Sequence, residues 1–249
     1  MMNGCKKCNE PVDGNYCPVC GRPATLKKID GRYIMNEIGD VLFVNSGLLY
    51  TIKSLIIKPG ETVRHFIRED RSLLVRPVTF LVITSLIYAI VNYFFPTEMK
   101  DNSFFINPFI NAKVEGLPAV TFIFRWMAEN FAYSNIITGL FMAFGVKIFF
   151  RKINFNLFEI FIFLCFANGI STLFLSLGSI LQSITHWDLI KISSLVSMIY
   201  LIWATGQFMN RKKVASYIKS FLSYVAGSLI FAAFIVLIGI IVDFVTGSL

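Results

Sequence analysis

Residues Val78 to Phe95 form an eighteen-residue run without one charged side chain, bounded by Arg76-Pro77 before it and Pro96 after it. As an α-helix such a run rises about 27 Å, close to the ~30 Å hydrocarbon core of a bilayer. Four further apolar stretches follow, at 132–150, 157–181, 189–208 and 221–245. With 78–95 they predict five transmembrane helices. Composition agrees: 55% of the residues are apolar and 15% are charged, where soluble domains carry about 25% charged residues. An intrinsically disordered chain is excluded, because such chains lack this aromatic and aliphatic content. Five cysteines in 249 residues exclude a disulfide scaffold. The expected fold class is an all-α polytopic membrane protein with about five transmembrane helices and a small N-terminal zinc ribbon. Three parts follow: a four-cysteine ribbon at 1–25, cytoplasmic amphipathic or interfacial helices at 26–76, and a transmembrane domain at 77–249.

The stretch 104–131 fits this scheme least well. Pro108, Gly116 and Pro118 interrupt it, while Phe122, Phe124 and Trp126 give it an apolar face and Arg125 and Glu129 stand at helical i,i+4 spacing. It reads as an interfacial element continuous with the second span. A re-entrant segment and an early start of that span, projecting from the membrane, are the other two readings.

Charge sets the expected orientation. Nineteen of the 23 Lys and Arg residues fall before Val78, at the end of or after the second span (Lys147, Arg151, Lys152), or after the fourth. Lys100, Lys113, Arg125 and Lys191 alone lie on the other side. The positive-inside rule then puts the N-terminus in the cytoplasm and, with five spans, the C-terminus outside. The net charge of +8 is accounted for by this topology signal and by attraction to anionic headgroups, about 1 kcal/mol per basic residue near the surface. The lipid bilayer and its anionic headgroups are the expected partners; nucleic acid is not.

Cys5-Lys6-Lys7-Cys8 and Cys17-Pro18-Val19-Cys20 are two C-x-x-C knuckles eight residues apart. Two residues between thiols let each turn aim both sulfurs at one tetrahedral ion. Four thiolates close the coordination sphere and leave no position for a substrate water. Cys5, Cys8, Cys17 and Cys20 are therefore the expected ligands of a structural Zn²⁺. In a cytoplasmic setting such thiols stay reduced, which favours metal over a disulfide pair. A redox dithiol normally opens a helix in a βαβ setting, which this stretch lacks. Cys165, inside the third span, reads as a small packing residue.

Those knuckles, followed by Gly47-Leu48-Leu49-Tyr50-Thr51-Ile52, Lys58-Pro59-Gly60-Glu61-Thr62-Val63-Arg64 and Arg76-Pro77-Val78-Thr79-Phe80-Leu81, resemble a family of bacterial inner-membrane proteins grouped as a domain of unknown function. The resemblance covers residues 5–90. It implies a zinc-ribbon head, an amphipathic segment and several spans, in a bacterial inner membrane, and it brings no activity. Arg22, Asn45-Ser46 and the short stretch Ser72 to Arg76 depart from the family pattern.

Between the knuckles and the first span, apolar residues recur at helical spacing: Ile34, Ile38, Val41 and Leu42, then Leu48, Leu49, Ile52, Leu55 and Ile56. Pro59-Gly60 is expected to end one helix and Glu61 to open the next, running to Arg76. Phe66 and Ile67 on one face, with Arg64, Arg68 and Arg71 on another, suit the membrane interface. Packing of these helices on the exposed ends of the spans is equally compatible.

Intramembrane ionisable residues are functional candidates by default, yet Glu159, Lys191 and Asp243 fall near span ends, where water reaches them. Asn168, Ser171, Thr172, Gln182, Ser197, Thr205 and Gln207 offer hydrogen bonds without acid–base power. No catalytic constellation emerges, and no enzyme activity is expected. Small residues four apart, Gly139 and Ala143, Ser223 and Gly227, Ser228 and Ala232, suit close helix packing within the chain or between copies. The leading functional reading is a non-enzymatic scaffold or sensor that engages a cytosolic protein partner or self-associates. An oligomeric pore or membrane-perturbing stress or defence effector is the second. An interfacial lipid-acting enzyme using Glu159 or His65 is the third.

Overall fold

The computed structural model describes residues 8, 11, 17–20, 47–95, 118–185, 187–210 and 213–246. The chain divides into two compact units, residues 1–44 and 45–249. All regular structure among the described residues is helical, in eight helices with no strand. They are α1 (Leu48–Ile57), α2 (Pro59–Arg68), α3 (Pro77–Phe94), α4 (Pro118–Glu129), α5 (Phe131–Phe149), α6 (Leu157–Thr185), α7 (Leu189–Asn210) and α8 (Val214–Thr246). Five of these, α3 and α5 to α8, are long and apolar enough to cross a membrane, as the sequence leads one to expect. The expected helices at 26–46 lie outside the described residues.

Helix α6 is the centre of the bundle. It packs on α3, α5 and α7 and touches both α1 and α2. Its start follows from sequence: the Asn156 side chain accepts from the Glu159 N–H at 2.8 Å, while the Glu159 carboxylate accepts from the Asn156 N–H at 2.7 Å. That reciprocal capping satisfies backbone donors that a helix start leaves without partners. Buried residues occur all round its middle, from Phe163 to Thr172.

Helices α5 and α8 meet through the small residues. A Cβ on Gly145 would stand 2.4 Å from the Ser223 carbonyl oxygen and 2.8 Å from the Gly227 nitrogen, and one on Gly227 would stand 3.0 Å from Met142 Cα. Ala143 and Ser223 are fully buried beside this crossing. Gly139 instead faces α6, with Asn168 and Phe161 at ordinary contact distance. Ala232 is buried, and the Ser228 hydroxyl turns back onto the Val225 carbonyl of its own helix.

Two helices extend beyond the apolar stretches. Helix α8 begins at Val214, seven residues before Phe221, because the Tyr217 ring packs against Gly206 of α7 and continues the interface past Lys219. Helix α6 runs on to Thr185, with Gln182 engaged by α7.

Helix α4, in the stretch expected to be an interfacial element continuous with the second span, is separated from α5 by Asn130 alone. It stands along α8: Val120, Phe124 and Met127 form a buried cluster with Phe231 and Ile235, and a Cβ on Gly239 would strike Val120. From Ala119 to Gly145 the chain follows α8 backwards from Asp243 to Ser223. The break at Asn130 is bridged by the Ser134 hydroxyl, which donates to the Met127 carbonyl at 2.7 Å. The apolar face of α4 is thus satisfied by α8, which holds the segment upright.

The α5–α8 crossing gives a sharp test. Gly145→Ala is expected to lower stability by about 1–3 kcal/mol, the usual cost of overpacking, because the new methyl meets backbone that cannot rotate away. Gly139→Ala should be nearly neutral. Thermal unfolding of both variants in detergent, followed by loss of helical signal, measures the difference.

Candidate functional site

In the N-terminal unit, Cys17 to Cys20 form a turn that brings Cys8 to both of its ends. The Cys8 sulfur lies 3.5 Å from that of Cys17 and 3.7 Å from that of Cys20, and all three lie within 4.8 Å of one another. None is in a disulfide. Thiolates on a tetrahedral zinc, with Zn–S bonds of about 2.3 Å, stand about 3.8 Å apart. The sulfur separations fit such a donor set. Cys17 is buried, Cys8 and Cys20 are half-buried, and Pro18 and Val19 face outwards. The Cys20 backbone N–H directed at the Cys17 sulfur holds that thiol below its ordinary pKa, the direction that favours a metal-binding thiolate. Cys5 lies outside the described residues.

The second candidate region is where α1 and α2 meet the bundle. Lys58 alone separates the two helices. Pro59 occupies the first position of α2 and Gly60 the second, so Pro59-Gly60 opens α2 rather than stopping α1. Proline suits that position, since its missing N–H would have no partner there. The Gly60 N–H, one of the orphan donors of a helix start, donates to Gln207 Oε1 at 2.8 Å. Only glycine allows the approach: a Cβ would stand 2.6 Å from the Gln207 carbonyl carbon and the Phe208 nitrogen. One turn on, the Arg64 guanidinium donates at 3.0 Å to the Gln207 carbonyl and at 3.0 Å to the Phe208 carbonyl. These belong to the last turn of α7, whose carbonyls lack helical partners and carry the negative end of the helix dipole.

Beneath this polar junction lies an aromatic layer. Phe66 is buried and meets Phe166 edge-on, ring centres 5.4 Å apart, and Phe166 in turn meets Phe80 at 5.7 Å. Phe208 is sandwiched between Phe163 at 4.4 Å and Phe155 at 4.5 Å. The Arg68 guanidinium sits 5.2 Å above the Phe155 ring, and Lys147 donates to the Phe155 carbonyl at 2.6 Å. Tyr200, ten residues before the end of α7, reaches up to donate to the Leu55 carbonyl at 3.1 Å.

The residues expected at the membrane interface therefore divide. Arg64 is half-buried on α7, Phe66 is buried against protein and Ile67 is packed at the edge of the same core. Arg68 is exposed above the aromatic layer, and Arg71 is exposed in the loop, since α2 ends at Arg68 and does not run on to Arg76. The stop is local. Asp70 accepts from the Ser72 N–H and hydroxyl, both at 2.7 Å, and those bonds hold its carboxyl below the usual range. They persist above the ordinary carboxylate pKa and are lost as pH falls through the lowered one.

Three further polar residues prove to cap other helices, two of them distant in sequence. Asp243, buried at 1% exposure, accepts from the Ala119 N–H at 3.0 Å in the first turn of α4. Gln182 accepts from the Ile190 N–H at 3.1 Å in the first turn of α7. Gln207 does the same for α2. Sequence reasoning placed Asp243 in hydrated surroundings and missed all three pairings. A signal was present: Leu117 and Lys58, just before α4 and α2, offer no side-chain acceptor, so each start needs one from elsewhere. Other interior polar groups bond across helices, while Thr84, Ser176, Ser179, Ser220 and Ser223 donate to carbonyls of their own helices. Asn135 donates to Ser85 at 3.3 Å and Thr172 at 3.4 Å, Ser171 and Ser197 each donate to the other's carbonyl at 3.4 and 3.1 Å, and Thr205 meets the Tyr224 hydroxyl at 3.0 Å. Glu159 is held in its capping pair, and His65 lies 2.5 Å from Glu69 on an exposed face.

The junction makes two predictions. Arg64→Gln should cost about 1–2 kcal/mol, the range for a cation at a partly buried helix C-terminus, whereas Arg71→Gln should be neutral; thermal midpoints in detergent compare them. Phe66→Asp should release the hairpin altogether, because the carboxylate would lie among apolar rings. Limited trypsin cleavage at Arg64 and Arg68, absent in the wild-type chain, would register that release.

This docked hairpin and the span it leads into are also where the chain is similar to known proteins. A family model described as a protein of unknown function (DUF3667) matches residues 45–89, which hold α1, α2 and most of α3. No curated protein and no solved structure matches the chain.

Proposed function

We propose that the protein is a non-enzymatic, zinc-dependent scaffold or sensor of the bacterial inner membrane. In this reading the N-terminal ribbon binds one structural Zn²⁺ through Cys5, Cys8, Cys17 and Cys20 and presents a surface to a cytosolic partner. The observation that carries it is the triad of sulfurs within 4.8 Å of one another, Cys8 standing at tetrahedral edge length from both Cys17 and Cys20, in a segment too short to bury a core. Such a module draws its folding energy from the metal. The four-thiolate set, once closed, has no open position for catalysis.

The bundle supports a role in anchoring. Its interior hydroxyl and amide groups bond either between helices or back onto their own, and Glu159 and Asp243 cap helix starts. Orientation with the N-terminus in the cytoplasm is supported by the common position of the basic residues: Arg64, Arg68, Lys147, Arg151, Lys152 and Lys213 all belong to the bundle end at which α3, α6 and α8 begin.

Metal analysis of the purified full-length chain should give one zinc per chain, lost in Cys8→Ser and in Cys17→Ser. A chelator should expose the first 46 residues to protease and leave the helical signal of the bundle intact. A chain without zinc, carrying a disulfide among these cysteines after cytoplasmic expression, overturns the reading. Vesicles containing the protein should leak ions no faster than empty ones; protein-dependent flux would favour a pore.

A further inference from the structure

Helix α1 is ten residues long and rises about 15 Å, half of the ~30 Å hydrocarbon core. It cannot cross a bilayer, yet it is apolar on two sides. Leu48, Thr51 and Leu55 point into the protein and are buried. Leu49, Tyr50, Ile56 and Ile57 point away from it and are 62%, 49%, 43% and 56% exposed. A helix on a boundary between protein and water shows a polar outer face; one that is apolar all round is covered on both sides.

Its neighbours indicate the cover. The Val75 N–H donates to Thr51 Oγ1 at 3.2 Å, two residues before α3 begins, so α1 lies beside the start of the first span. From that end, α3 presents an outward stripe of Val78, Val82, Leu86 and Ile90, all exposed and apolar at four-residue spacing. The outer face of α1, beside the start of that helix, is apolar in the same way. Helix α2 has the opposite character: His65, Arg68 and Glu69 are its exposed residues. Lys53 and Lys58 are exposed along and at the end of α1, Lys58 paired with Glu61 at 3.4 Å, where ammonium groups on flexible stems can reach headgroups while the helix lies lower.

We infer that α1 is embedded among the acyl chains of the leaflet on the basic side of the bundle, as a half-depth anchor. Seating of the hairpin in lipid then runs through Leu49, Tyr50, Ile56 and Ile57, not through the arginines of α2. The two helices move as one piece, since the Thr62 hydroxyl donates to the Ser54 carbonyl at 3.2 Å across their junction. A change in the depth of α1 would therefore bear directly on the contacts of Gly60 and Arg64 with the end of α7.

The test uses the full-length chain in vesicles of phosphatidylcholine with anionic phosphatidylglycerol. Trp126, Trp187 and Trp203 are replaced by Phe, and single reporters are introduced as Leu49→Trp, Ile57→Trp, His65→Trp and Leu86→Trp. Phosphatidylcholine brominated on its acyl chains should quench the Leu49 and Ile57 reporters at least twofold, as it does the Leu86 reporter on the span, while aqueous acrylamide quenches only the His65 reporter. Acrylamide quenching at Leu49 and Ile57 would mean that water covers α1, and protection from both quenchers would mean that protein covers it; either overturns the inference. Loss of lipid quenching at Leu86 as well would overturn the membrane reading of the spans, a distinguishable failure. With the native tryptophans kept, Ile57→Asp should open the Lys53 site of α1 to trypsin without loss of bundle helicity, and unchanged resistance would also count against the anchor.

Discussion

The junction between the start of α2 and the end of α7 is the contact on which the arrangement of the bundle end depends. A helix start has backbone donors without partners and a helix end has acceptors without partners. In apolar surroundings each unsatisfied group costs several kcal/mol. Here the two deficits are met together. The Gln207 side chain accepts from the Gly60 N–H, and Arg64 supplies a charged donor to the Gln207 and Phe208 carbonyls. Two helices 147 positions apart in sequence are thereby joined by directional bonds that apolar packing alone would not specify.

A side-chain acceptor serves three other helix starts as well. Asp243 serves α4, Gln182 serves α7, and Asn156 with Glu159 serves α6. Polar residues in a membrane chain invite a search for transport or catalysis, and here their geometry assigns them to backbone satisfaction. The consequence is a bundle whose helix ends are fixed by specific partners while its middle is set by van der Waals contact. Gly145 and Gly227 bring α5 and α8 to backbone contact, and the Phe155, Phe163 and Phe208 stack fills the space below the hairpin.

The thiol cluster follows a different logic. Its three described sulfurs lie within 4.8 Å of one another, two of them at the ends of the Cys17–Cys20 turn. Coordination chemistry is the force that could hold such a unit, as helix packing holds the bundle. Under the proposed function, such a unit would be a metal-dependent module joined to a bundle that holds together without metal.

Local sequence determined a great deal. The five long apolar helices are written in runs such as 78–95, because a chain that cannot expose its backbone to lipid has little choice but to be helical. The paired C-x-x-C knuckles point to sulfur–metal chemistry because two-residue spacing is itself a geometric constraint. The face of α2 that carries Phe66 was legible from helical periodicity. What lies against that face was not: amphipathicity records that one side avoids water and is silent on whether lipid or protein covers it. Tertiary structure put Phe166 and the end of α7 there, turned Arg64 from a headgroup ligand into a helix cap, and stood α4 along α8. It also gave Asp243, Gln182 and Gln207 their partners. The pairings of Asp243 and Gln207 join residues far apart in the chain, and hydrogen-bond direction is a property of positions in space that no spacing along the sequence encodes.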